Sequence, residues 1–343
     1  MAAPQSILLT GASGFIAKHI LLRLLNAGHS VTGSVRSRDR EDEVRAAVGT
    51  HLTDPTAQDR LRFVTLDLTQ DAGWEAAFAG VEALIHTASP FPITQPKDEQ
   101  DLIRPAVDGT LRALKAAQAA GVARVVLTSS VAAIAYRAPS AAKPVMDEDD
   151  WSDLDHPTAT AYVKSKTLAE RAAWDFAAKA PGLALTTINP VLVTGPPLDR
   201  HFGSSISVIE RVLASKDPML PNFGFGIVDV RDVAEMHLRA LERPETSGRR
   251  YIAADRFLWF KDIAEIIAAL YPYRRITRRV APDFVVRALS LFDPSIRTIL
   301  PGLGRRDELS NARARGEMGM NFLNAADSIR DTARFLVENE LVT

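Results

Sequence analysis

Between Ser6 and Ile188 short β-branched apolar runs alternate with longer stretches whose apolar residues recur every three or four positions. The first pattern suits strands buried on both faces and the second suits amphipathic helices, so the alternation predicts βαβ units around a parallel sheet. The strand segments are 6–10, 30–35, 62–66, 83–87, 124–129 and 184–189, and the helical ones are 14–27, 98–120 and 160–179. Gly28 and Gly121 follow two of these helices directly, where a left-handed C-terminal cap calls for glycine. Beyond Asn189 the texture changes, because Pro190, Pro196, Pro197, Pro218, Pro221, Gly224 and Gly226 break the chain repeatedly. Helical spacing returns at 227–241, 260–271 and 325–340. This is where an α/β core hands over to a substrate-covering lobe.

Directly after the first strand stands Thr10-Gly11-Ala12-Ser13-Gly14-Phe15-Ile16-Ala17, opening a helix. A strand-to-helix turn of this kind needs glycine to pass through restricted backbone angles and to let a pyrophosphate approach the positive helix N-terminus. Gly11 and Gly14 supply that, and Ala17 takes the third, close-packing position. The end of the second strand reports which dinucleotide fits, since an acid there bonds the ribose hydroxyls whereas an arginine accommodates a 2′-phosphate. The sequence reads Gly33-Ser34-Val35-Arg36-Ser37-Arg38, with no acid until Asp39. Arg36 is the candidate for the 2′-phosphate, with Arg38 or Arg40 assisting; the alternative is a solvated basic loop.

Tyr162 and Lys166 lie four residues apart on the helix over 160–179, which puts both on one face. A lysine ammonium near a phenol stabilises the phenolate and is expected to lower the tyrosine pKa, giving a proton donor and acceptor nearer neutrality. Ser129 and Ser130 close the fifth strand at its carboxyl edge, where doubly wound sheets bind ligands.

On these residues the chain resembles the extended short-chain dehydrogenase/reductase family, in its dihydroflavonol reductase, cinnamoyl-CoA reductase and microbial carbonyl reductase branch. The likeness covers nearly the whole length. It adds Asp67-Leu68, His86-Thr87-Ala88-Ser89-Pro90, Pro105-Ala106-Val107-Asp108-Gly109-Thr110, Leu127-Thr128-Ser129-Ser130, the segment 162–170, and Asn189-Pro190-Val191-Leu192-Val193-Thr194-Gly195-Pro196. The resemblance implies a Rossmann-type doubly wound parallel sheet over 1–190, with a return of the chain near 225–260, and a smaller substrate-binding lobe formed mainly by 191–343. By the same resemblance Ser130 bonds the substrate carbonyl, Tyr162 is the general acid, and Lys166 tunes Tyr162 and holds the nicotinamide ribose. The cofactor is expected to be NADP(H), held by Gly11, Ser13, Gly14, Phe15, Ile16 and Arg36. Asp67 and Leu68 are assigned to the adenine, Thr87, Ala88, Ser89 and Thr128 to the loops beneath the cofactor, and Pro190, Val191 and Val193 to the nicotinamide. Ser89, Phe91 and Phe202 join Ser130 and Tyr162 as substrate-side candidates. Where many relatives carry Asn in the fourth helix this chain has Ala106, so an Asn-based relay is not carried over.

Composition narrows the classes. The chain has 343 residues, 46% hydrophobic and 24% charged, with 41 Lys and Arg against 42 Asp and Glu. That is an ordinary folded composition with no global field for a nucleic acid or an anionic membrane, so neither is expected as a partner. The absence of cysteine excludes disulfides, thiolate metal sites and a Cys nucleophile. Seven histidines show no paired ligand spacing, so no metal is expected. Met1 to Ser6 lacks the basic stretch and apolar run of a signal peptide and no apolar run reaches membrane-spanning length, which makes a cytoplasmic protein the expectation. The acidic run 147–150 reads as a solvated connection, and the basic, aromatic stretch 273–279 as an exposed edge. Phe91, Phe202, Phe223 and Phe225 line the pocket or belong to the core. The reading is thus an NADPH-dependent reductase of aldehydes or ketones, acting on a small carbonyl substrate as a monomer or homodimer. The alternative is a nucleotide-sugar epimerase or dehydratase that recycles bound NAD, against which Arg36 argues. A non-catalytic dinucleotide sensor is a third class, against which the Ser130, Tyr162 and Lys166 set argues.

Overall fold

The computed structural model describes residues 3–90, 96–138, 143–292, 296 and 299–342. Along the first half run β1 (Ser6–Thr10), α1 (Phe15–Asn26), β2 (Ser30–Val35), α2 (Asp39–Gly49), β3 (Leu61–Thr65), α3 (Trp74–Ala77), β4 (Ala83–His86), α4 (Gln100–Ala119), β5 (Arg124–Thr128) and α5 (Ala161–Ala177). The second half continues with β6 (Ala184–Pro190), β7 (Leu192–Thr194), α6 (Ser204–Leu213), β8 (Gly224–Asp229), α7 (Val230–Glu242), β9 (Arg249–Ala253), β10 (Arg256–Trp259) and α8 (Phe260–Leu270).

Seven strands form one sheet in the order β3-β2-β1-β4-β5-β6-β9. Every pairing in it is parallel, as the alternating pattern requires. The apolar runs are continuous because both faces are covered: Ile7 and Leu9 enter the cluster that holds Leu21 and Leu25 of α1, while Leu8 enters the opposite one with Leu84 and Leu114. Helices α1 and α7 pack together, as do α4 and α5. The strand order reverses between β1 and β4, which opens a crevice at their carboxyl ends. A second sheet, β10-β8-β7, and a third cluster built on Ile206, Ile209, Ile263, Ile267 and Ile329 make up the lobe over that crevice. No helix among the described residues is long and apolar enough to cross a membrane.

Two expectations are corrected. The helical reading of 227–241 begins too early: Ile227 and Val228 are strand residues paired with Leu192 and Val193, and the Asp229 carboxylate accepts from Arg231 N at 2.8 Å, capping α7. A strand running straight into a helix keeps apolar residues through the junction, so periodicity alone does not mark it. The acidic run is not simply solvated. Glu148 is 3% exposed and accepts from Ile252 N at 3.0 Å, tying this connection to β9, and Lys143 pairs with Asp147 and Asp150. Helix α2, with only Val44, Ala47 and Val48 buried in a charged sequence, escaped the pattern, as did β7, β9 and β10.

Candidate active site

The crevice is a cleft of about 660 Å³ walled by the β1–α1 turn, the end of β2, the loops after β4 and β5, the first half of α5, and the segments 190–193 and 203–205. At its head the turn after β1 is fixed by three bonds: Ala12 N donates to Ser34 O at 2.8 Å, Gly11 N to Ser34 Oγ at 3.1 Å, and Gly14 N to Gly11 O at 2.9 Å. Gly11 sits at φ +70°, and a Cβ there would stand 3.0 Å from the Ala88 Cα, so only glycine lets the two loops close together. Gly14 caps α1 without a side chain and the first turn carries no acid, which leaves its positive N-terminus open to an anion. Thr10 Oγ1 accepts from Thr87 N (3.1 Å) and Ala88 N (3.2 Å) and bonds His86 Nδ1 (2.8 Å), latching the ends of β1 and β4. Burial and the nearby Lys166 charge push His86 down to about 3, so it stays neutral.

Further along the cleft, Ser130 Oγ accepts from Ala132 N at 3.1 Å and shares a hydrogen bond with the Tyr162 phenol. Lys166 lies one helical turn on, with Nζ 6.0 Å from the Tyr162 ring centre. Thr160 caps α5, and the resulting helix register turns both side chains into the cleft. The expected depression of the tyrosine pKa is not what the structure shows: burial pushes Tyr162 up, and the Ser130 hydrogen bond opposes it only in part. Burial also brings Lys166 down to about 8, with the Glu170 carboxylate acting to raise it. Both shifts have one physical cause, removal of water from the ionised forms.

Beneath this pair lies a buried polar network centred on Glu170, which is 1% exposed. Its carboxylate accepts from Ser129 Oγ, Asn189 Nδ2 (2.7 Å), Thr187 Oγ1 (3.1 Å) and Arg250 Nε (2.7 Å). Asn189 Nδ2 also donates to Ser130 O at 3.1 Å. The two adjacent serines are thereby separated: Ser129 faces the network and Ser130 faces Tyr162.

Gly11, Ser13, Gly14, Phe15, Ile16, Arg36, Leu68, Thr87, Ala88, Ser89, Thr128, Pro190, Val191 and Val193 all line the cleft with Ser130, Tyr162 and Lys166. Thr128 does so while its hydroxyl bonds His237 Nε2 at 2.7 Å. Two of the described candidates do not. Asp67 is exposed outside it, accepting from Thr69 N and Oγ1, both at 2.8 Å. Phe202 packs half-buried on the lobe cluster, and Phe91 lies outside the described residues. Phe223 and Phe225 meet edge to face, and both rings contact Phe260 within the lobe. Of the arginines offered as assistants to Arg36, Arg40 lines the cleft and Arg38 does not. Sequence reasoning passed over Ser34, Trp74 and Gly203-Ser204-Ser205; the last is a helix start after a broken loop and could have been read as such. It also missed that Glu43, Asp199 and His201 bring ligand atoms within 4.8 Å of one another, though the ammonium of Lys18 already bonds both carboxylates.

Comparison with known proteins agrees with this geometry. Residues 7–254 match the NAD dependent epimerase/dehydratase family. Cinnamoyl-CoA reductase 1 of Arabidopsis thaliana is 32% identical over 98% of this chain and 90% of its own length. The crystal structure of yeast methylglyoxal/isovaleraldehyde reductase Gre2 complexed with NADPH superposes with a TM-score of 0.80 at 27% identity, covering 98% of this chain and 100% of that one. MoeE5 in complex with UDP-glucose and NAD shares the fold alone, at 20% identity, a TM-score of 0.73 and coverage of 98% and 99%. The parallel sheet with its phosphate-binding turn, the Ser130, Tyr162 and Lys166 constellation and these relatives together place the chain in the extended short-chain dehydrogenase/reductase (NAD dependent epimerase/dehydratase) family, beside the cinnamoyl-CoA and methylglyoxal reductases.

Proposed function

We propose that this protein reduces aldehydes or ketones to alcohols with NADPH, Tyr162 supplying the proton. It is an NADP-dependent oxidoreductase acting on carbonyl groups, in keeping with its relatives. The observation that carries the proposal for Tyr162 is its placement: a half-buried phenol, bonded to Ser130, within the same cleft as an open helix N-terminus and two arginines. The cleft fits a dinucleotide on its own chemistry. Gly11 to Gly14 and the α1 N-terminus receive the pyrophosphate, Arg36 and Arg40 the 2′-phosphate, Leu68 the adenine side, and Pro190, Val191 and Val193 the nicotinamide side. When bound, the nicotinamide supplies the hydride.

The protein's own residues do the rest. Ser130 Oγ and the Tyr162 hydroxyl, neighbours in the cleft wall, hold the carbonyl oxygen between them by two hydrogen bonds. Because burial raises Tyr162, it is protonated at neutral pH and serves as an acid toward the alkoxide that develops on that oxygen. The Lys166 ammonium stabilises the phenolate left behind and positions the ribose. Residues 1–190 with the return through β9 form the dinucleotide-binding part, and 191–343 mainly the lobe that covers the substrate.

Tyr162→Phe tests the assignment. Reduction with NADPH should fall by about a hundredfold or more while cofactor binding persists; full retention of turnover would remove Tyr162 as the donor. The epimerase alternative shares the fold but places a nucleotide sugar and bound NAD in the cleft, where this chain offers Arg36 just after β2 and Arg40 in the first turn of α2. Bound NAD surviving gel filtration would favour that alternative.

A further inference from the structure

Lys18 closes the first turn of α1 and is 1% exposed. A buried ammonium is costly unless it is paired, and Lys18 is paired twice. Its Nζ donates to Glu43 Oε1 at 2.8 Å and to the Asp199 carboxylate, with His201 O at 3.4 Å. Glu43, on α2, is also held from the other side by Arg40, whose Nη2 stands 3.0 Å from Oε1 and whose Nε stands 2.9 Å from Oε2. His201 Nδ1 approaches Glu43 Oε1 at 3.4 Å, but that ring is exposed. One carboxylate is therefore shared between a fixed, buried cation and a partly exposed one that borders the cleft beside Arg36.

We propose that Lys18 sets the preference for NADPH over NADH by keeping Arg40 available to the 2′-phosphate through the Glu43 carboxylate that the two cations share. This rests on the reading above that Arg40 meets the 2′-phosphate. An arriving phosphate competes with Glu43 for the Arg40 guanidinium. Losing Arg40 would strand a carboxylate that is only 17% exposed, which is costly, unless a second cation stays with it. Lys18 is that cation. It cannot follow Arg40 into the cleft, because Asp199 anchors it and burial fixes its stem. Lys18 itself lies outside the cleft wall and would act through Glu43 and Arg40, so it is a positioning residue.

The inference predicts how two substitutions combine. Lys18→Met leaves Glu43 with Arg40 as its main partner, so the carboxylate should hold the guanidinium against the phosphate. Glu43→Gln in the same chain removes the competitor and should release Arg40 again. A purely structural role for Lys18 would show neither the selectivity nor the rescue.

The experiment measures dissociation constants of NADPH and NADH for the full-length protein by nicotinamide fluorescence. Lys18→Met should lower the ratio of NADPH to NADH affinity roughly tenfold, the scale of one charge-assisted hydrogen bond. Lys18→Met/Glu43→Gln should bring the ratio back, and Glu43→Gln alone should keep or raise it. Arg40→Ala is the control on the underlying reading and should lower the ratio. If Arg40→Ala leaves the ratio unchanged, Arg40 does not meet the 2′-phosphate and the proposal falls with that reading. If Arg40→Ala lowers it but Lys18→Met weakens both cofactors equally, or the double variant fails to recover, only the role of Lys18 is overturned. Should Lys18→Met not fold, a drop in the ratio for Glu43→Gln alone would refute the competition directly.

Discussion

Replacing Glu170 by Gln probes the support beneath the catalytic pair. The substitution keeps the shape and removes one charge from a site that is 1% exposed. Arg250, whose side chain is 8% exposed, then loses its only carboxylate partner among the described residues, although its Nη1 still donates to Glu148 O (2.9 Å) and Asp150 O (2.7 Å) and its guanidinium stacks on Trp151 at 3.8 Å. Stripping one partner from a buried ion pair costs about 3–5 kcal/mol, and these surviving contacts favour the lower figure. Unfolding entropy of roughly 2.1 cal/mol/K per residue over this chain length turns about 3 kcal/mol into a fall in Tm of about 4 °C. A second consequence is chemical. The Glu170 charge acts to raise Lys166 against burial, so without it Lys166 should lose its proton at a lower pH than about 8. Differential scanning calorimetry reads the first effect, and the alkaline limb of kcat/KM for carbonyl reduction reads the second. Glu170→Met/Arg250→Met, which removes both charges, should recover most of the stability but not the limb. An unchanged Tm together with an unchanged limb in Glu170→Gln would refute the reasoning.

Three further outcomes are expected. Arg36→Ala should weaken NADPH by roughly ten- to a hundredfold, the worth of one or more charge-assisted bonds to phosphate, while NADH is nearly unaffected; equal loss for both cofactors would make Arg36 a loop support. In the unsubstituted protein kcat/KM for reduction should decline above pH about 8, because Lys166 deprotonates there before Tyr162, which burial holds above its ordinary value. Lys166→Arg, which stays charged, should abolish that limb in whatever activity remains, and persistence of the limb would assign it to another group. Asp232, raised to about 6 by burial, binds its proton more tightly folded than unfolded, so its ionisation destabilises the fold above pH about 6 and not below about 4. Asp232→Asn should therefore gain about 1–2 kcal/mol at pH 8 and nothing at low pH, in paired thermal melts; a gain of equal size at both would exclude ionisation as the cause.

The sequence by itself determined the sheet and the chemistry carried on short motifs. Six strands of the main sheet and α1, α4 and α5 were legible within a residue or two, because strands buried on both faces are continuously apolar and long helices repeat their apolar face several times. Gly11 to Gly14 and the Tyr162 and Lys166 spacing were legible because each depends on neighbours within one turn of chain. What needed the tertiary structure depends on contacts distant in sequence. Helix α2 shows little apolar periodicity, since it rests on α1 and spends its charges on Lys18, 25 residues away. Strand β9 is set by its neighbour β6 across a long connection. The family motif singled out Ser130, but only the fold could assign Ser129 to Glu170, choose Arg40 over Arg38, or set Asp67 outside the cleft. The same holds for the pKa of Tyr162: the spacing supplied the lysine, whose charge alone would lower the phenol. The depth of burial, which raises it, is a property of the packed chain.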